Sequence, residues 1–113
     1  MSALSAHKAW VAQRLTAVYL AVYLIIGLGC LAVYGVPADA AAWRRLFSGP
    51  WMNLFTLGLF LALIWHAWIG IRDVILDYVH PVWIRFALLV FFGAGLLLCA
   101  LWAGRILFNA MAA

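Results

Sequence analysis

The sequence predicts an all-α membrane protein of three transmembrane helices that takes part in a multi-subunit helix bundle. Three observations lead there. Of its 113 residues 71% are hydrophobic and only 9% are charged, far outside the range of a soluble domain. Three uncharged stretches are each long enough to cross a hydrocarbon core, which needs about 20 helical residues. The connections between them are too short to hold a soluble domain, so residues 1–113 read as one membrane-anchor domain. Backbone N–H and C=O groups find no water in lipid, which makes the helix the simple way for such stretches to cross.

Taken in order, Met1 to Arg14 is polar and lacks the apolar core and small-residue cleavage site of a signal peptide, so targeting is expected from the first span itself. That span covers 15–36, with no charge between Arg14 and Asp39. Gly35, Pro37, Gly49 and Pro50 punctuate the loop that follows. The second span covers 51–71, between the Arg44-Arg45 pair and Arg72-Asp73. A loop from Arg72 to Arg85 leads to the third span, 84–107, with Pro81 placed to open it. Trp10, Trp43, Trp51 and Trp83 fall at span ends, as interfacial aromatics do, and Gly27, Gly29, Gly93 and Gly95 leave room for close helix approach.

An odd number of spans puts the termini on opposite sides. With the N-terminus inside, Lys8, Arg14, Arg72 and Arg85 are cytoplasmic and Arg44, Arg45 and Arg105 are not, a small excess in the positive-inside sense. The net charge of +4 comes from basic residues scattered along span edges, which argues against nucleic-acid binding. Cys30 and Cys99 sit inside apolar runs with no ligand at metal spacing and read as small hydrophobes.

His66 stands within the second span, about 7 to 8 Å of helix rise from the Arg72 end. An ionisable group at that depth is costly and needs a partner or a use. Two readings stand on the residues alone: a neutral imidazole hydrogen-bonded to a neighbouring helix, or an axial haem ligand. Ala62, His66, Gly70, Asp73 and Asp77 share one helical stripe if the helix runs past Ile71, and the small Ala62 and Gly70 leave room for a planar group or for another helix. His7 and His80 lie outside the spans, so a bis-histidine haem would need a ligand from a second polypeptide.

The 72–85 segment gathers Asp73, Asp77, Tyr78 and His80. Quinone reduction consumes two protons with its two electrons, and a tyrosine hydroxyl beside a carboxylate or imidazole suits that need. Interfacial tyrosines and solvated loop charges are also ordinary. Arg14, at the mouth of the first span, suits a haem propionate or simply marks topology.

The run His66-Ala67-Trp68-Ile69-Gly70, followed by Asp77-Tyr78-Val79 and Pro81, resembles the hydrophobic membrane anchor subunit of bacterial succinate dehydrogenase, the smaller of its two anchors. Arg14-Leu15-Thr16-Ala17 is similar to the opening of the first span in that family. The resemblance implies that His66 is an axial ligand of haem b, that Tyr78 hydrogen-bonds ubiquinone with Asp77 beside it, and that Arg14 lies near the haem propionates. It further implies a complex in the bacterial inner membrane, N-terminus cytoplasmic and C-terminus periplasmic, with a flavoprotein, an iron–sulfur subunit and a second three-helix cytochrome b anchor. Nothing in the sequence resembles a dinucleotide fold or an iron–sulfur cysteine cluster, so succinate oxidation itself is expected elsewhere in the complex.

Two alternatives remain at this point. One is a fumarate reductase anchor working in the opposite direction. The other, from a different class, is a small transporter or structural membrane protein, although its spans would then carry no acid before Asp73.

Overall fold

The computed structural model describes residues 2–112, and among them every regular element is a helix: α1 (Ala3–Tyr34), α2 (Ala40–Ser48), α3 (Pro50–Tyr78) and α4 (Val82–Ala112). Three of these, α1, α3 and α4, are long and apolar enough to cross a membrane. With 32 residues α1 is about 48 Å long, against a hydrocarbon core of about 30 Å. Each long helix therefore projects beyond its apolar portion, which explains why the helices exceed the 15–36, 51–71 and 84–107 spans. Lipid thickness limits the apolar run, whereas backbone hydrogen bonding continues until a cap or breaker stops it.

The stops are local. The Ser2 hydroxyl caps α1 by accepting from the Ser5 N–H at 3.2 Å. At the other end Gly35 takes φ 87°, a conformation suited to glycine, while its N–H donates to the Leu31 carbonyl. Pro50 opens α3 at its first turn, where its missing N–H costs no hydrogen bond. At the far end of α3 the Arg85 guanidinium donates to the Val79 and Leu76 carbonyls at 3.0 and 3.3 Å, closing the turn into α4.

The first loop holds a helix that composition did not reveal. Asp39 accepts from the Ala42 N–H at 2.7 Å and starts α2, whose Trp43 and Phe47 stack one turn apart with ring centroids 6.1 Å apart. Arg44 and Arg45 remain exposed, so α2 is amphipathic, and it packs against α3 and α4. The second correction concerns 72–85: α3 runs unbroken to Tyr78, and only Val79 to Pro81 remain as connection. Asp73, Asp77 and Tyr78 are therefore helical residues with defined faces.

In this arrangement α3 is central and packs against both α1 and α4, whose own backbones do not approach each other closely among the described residues. A polar seam joins α1 to α3. Tyr19 donates to the Phe55 carbonyl at 2.6 Å, and Tyr23 lies 2.6 Å from the Thr56 hydroxyl, which donates to Met52. The close approach occurs over Gly58, where a Cβ would fall 2.6 Å from the Tyr19 hydroxyl oxygen. Of the four glycines the sequence singles out, Gly93 lies against Trp68, whereas Gly27, Gly29 and Gly95 face open space within this chain.

Between α3 and α4 the buried Asn53 uses both amide hydrogens, one to Leu107 at 2.8 Å and one to Phe47 at 2.9 Å, and so ties three helices together. Asn53→Ala is expected to lower stability by about 1 to 2 kcal/mol, because it removes both bonds of a buried amide. The check is an earlier thermal unfolding midpoint of the detergent-solubilised protein relative to wild type.

Little else is buried. Among the described residues only Ile69, Ile75, Ala103, Leu107 and Ala110 form an apolar core, while Phe86, Phe91, Trp102 and many other large side chains are exposed. A surface of this kind is stable only against lipid or other helices.

Candidate functional site: the α1–α3 histidine and the Asp77-Tyr78 end

His66 is half-buried and faces α1, where its Nδ1 lies 3.1 Å from the Thr16 hydroxyl oxygen. That hydroxyl also lies 2.8 Å from the Ala12 carbonyl and 3.1 Å from the Gln13 carbonyl of its own helix. The other ring nitrogen, Nε2, has no hydrogen-bond partner among the described residues and is not sealed inside the chain. The bonded-imidazole reading is thus realised at one nitrogen, and the second stays free.

One turn away, Gln13 lies over Gly70: a Cβ there would come 3.8 Å from the Gln13 side-chain nitrogen. Of the two uses open to Gly70, the structure realises contact with another helix. The Gln13 Oε1 is buried with no partner and borders a cleft of about 290 Å³ whose lining includes Trp10, Ile69, Arg72 and Asp73. Sequence reasoning passed over both Thr16 and Gln13, because their significance depends on the register of α1 against α3.

The residues singled out from sequence do not form one cluster. Asp77 shares the His66 stripe, three turns on, while Tyr78 is turned about 120° away from it and lies about 18 Å along the helix axis. Tyr78 is 78% exposed, and Asp77 and His80 are exposed beside it. Arg85 holds the adjoining carbonyls, so the tyrosine stands on a fixed helix end. Arg72 bonds Asp73 at 3.0 Å. Arg14 sits over the Trp10 ring at 5.0 Å, about half a turn from Thr16 and on the side of α1 away from α3.

No group of three metal-ligating side chains exists among the described residues. A metal held by His66 would therefore need ligands from outside these side chains, a requirement that haem would meet. The free Nε2 on a span histidine fits that group. A larger apolar cleft of about 1110 Å³ lies between α3 and α4 and under α2, near Phe47, Phe60, Trp102 and Ile106. Its lining contains no acid and no histidine, and its polar side chains include Tyr23, Arg44 and Cys99.

Comparison with known proteins identifies the family. Residues 2–102 match the family described as "Succinate dehydrogenase/Fumarate reductase transmembrane subunit". Among curated proteins, the "Succinate dehydrogenase hydrophobic membrane anchor subunit" of Coxiella burnetii (strain RSA 493 / Nine Mile phase I) is 37% identical over 82 residues, covering 73% of this chain and 70% of that protein.

Proposed function

This chain belongs to the succinate dehydrogenase/fumarate reductase transmembrane subunit family, and we propose that within it the chain ligates haem b through His66 and contributes Tyr78 and Asp77 to a ubiquinone-reduction site. Family membership makes it a multi-pass membrane anchor of a multi-subunit complex and sets aside the transporter reading. The observation that carries the finer proposal is the free Nε2 of His66, in a span whose other ring nitrogen is already held.

When bound, haem b would supply a one-electron redox centre. The chain's own residues do the rest. Thr16 on α1 holds the imidazole against rotation, and the unpartnered Nε2 of His66 would be the atom that holds the group. At the far end the Tyr78 hydroxyl donates to a quinone carbonyl oxygen. That bond strengthens as negative charge develops on the oxygen during reduction, so it favours the transition state over bound quinone. Asp77, one residue away and exposed, exchanges protons with the aqueous side and replaces those that the quinone takes up. Arg14, which lies over the Trp10 ring, would pair with a haem propionate.

The partners in this reading are a flavoprotein, an iron–sulfur subunit and a second three-helix cytochrome b anchor that supplies the other axial ligand. The complex sits in a bacterial inner membrane, with α1 beginning on the cytoplasmic side and α4 ending on the periplasmic side, the orientation that places Lys8, Arg14, Arg72 and Arg85 inside. Succinate oxidation is favoured over the fumarate-reducing direction by the name of the Coxiella relative. Cells lacking this chain are expected to retain succinate oxidation by a soluble artificial acceptor and to lose succinate-dependent ubiquinone reduction. Undiminished quinone reduction in their membranes would contradict the proposal.

A further inference from the structure

We propose that Thr16 is a positioning residue that fixes the tautomer of His66, so that the proton sits on Nδ1 and the lone pair is presented at Nε2. The inference rests on the haem-ligand reading of His66 and adds to it a residue on a different helix.

The argument turns on one hydrogen. A threonine hydroxyl has a single O–H to donate and two lone pairs with which to accept. Within a helix that hydrogen goes to a carbonyl one turn back, and Thr16 has the Ala12 carbonyl at 2.8 Å, closer than the imidazole. Its oxygen therefore faces His66 as an acceptor. Two lone pairs opposed at the 3.1 Å separation from Nδ1 would repel, so the contact is attractive only when Nδ1 carries the proton. A neutral imidazole protonated at Nδ1 has its remaining lone pair on Nε2, the nitrogen with no partner among the described residues.

This contact does two further things. It restrains ring rotation, because Thr16 is itself held by its bond to Ala12. It also makes the imidazole a stronger electron donor, as an acceptor on the second nitrogen of a ligating histidine does, and so stabilises the oxidised metal.

The test uses the whole detergent-solubilised complex and reads the haem midpoint potential and the low-spin electron paramagnetic resonance of Thr16→Val, Thr16→Ser and Thr16→Ala. Valine keeps the shape and removes the acceptor, so its potential is expected to move upward with altered g-values. Serine keeps the acceptor and is expected to match wild type. If Thr16→Val does not assemble, Thr16→Ala must show the same upward shift against Thr16→Ser. A valine or alanine complex with wild-type potential overturns the inference, as does an equal shift in the serine complex, which would mark a packing effect. His66→Ala, measured alongside, separates the two claims: an unchanged haem signal there defeats the ligand reading itself, whereas its loss with no effect at Thr16 defeats only the tautomer assignment.

Discussion

His66→Ala is expected to abolish or grossly alter the b-type haem spectrum of the assembled complex. On the proposed reading the substitution takes away one of two axial ligands, and no other described side chain stands in for it. His7 lies on the first turns of α1 and His80 beyond the end of α3, both exposed and both outside the apolar spans. Removing a six-coordinate haem ligand leaves either an empty site or a high-spin, five-coordinate iron with a shifted absorption. Stability should change far less, because the imidazole makes a single hydrogen bond, worth about 1 kcal/mol. Haem content, read by pyridine hemochromogen on a complex that retains its subunits, separates ligand loss from collapse. A wild-type spectrum would sink the ligand assignment.

Tyr78→Phe should lower succinate:ubiquinone turnover on the order of 10²-fold, the scale for removing a hydrogen-bond donor from a developing oxyanion. Succinate oxidation by an artificial soluble acceptor should stay near wild type. The phenol is 78% exposed and makes no bond within the chain among the described residues, so the loss of its oxygen leaves the fold intact. Asp77, at the end of the His66 stripe, should give a weaker effect that acidic buffer partly relieves, because buffer acids replace a proton carrier but not a fixed donor. Equal loss of both activities in Tyr78→Phe would point to assembly in place of quinone binding.

Much of this architecture was legible in the sequence. Three apolar runs of membrane length between charged edges admit little else, since an unpaired backbone in lipid is prohibitively costly. His66 was legible for the same reason: one ionisable side chain in an otherwise apolar span stands out. What escaped was whatever depends on amphipathic or long-range order. Nine residues of α2 lie between Gly35-Val36-Pro37 and Gly49-Pro50, a pattern that reads as loop, yet Asp39 as cap with Trp43 and Phe47 one turn apart is a helix signal. Charges after Ile71 suggested a loop, but no breaker occurs before Val79, and Pro81 disfavours helix only from the residue before it.

The Thr16 to His66 bond had no sequence signal, because fifty residues separate the two and the register of α1 on α3 decides their meeting. That register is set by contacts such as Tyr19 over Gly58 and Tyr23 on Thr56. A Cβ added at Gly27 or Gly29, the glycines chosen from the first span, would meet nothing within 4 Å among the described residues, which leaves those faces to lipid or to neighbouring subunits.

The most direct test of the central claim is a dithionite-reduced minus oxidised spectrum of the detergent-solubilised complex purified through this chain, with its subunits identified in the same preparation. A b-type difference signal together with co-purified flavoprotein and iron–sulfur subunits is the predicted result. A preparation that holds those subunits but shows no b-type signal would contradict it.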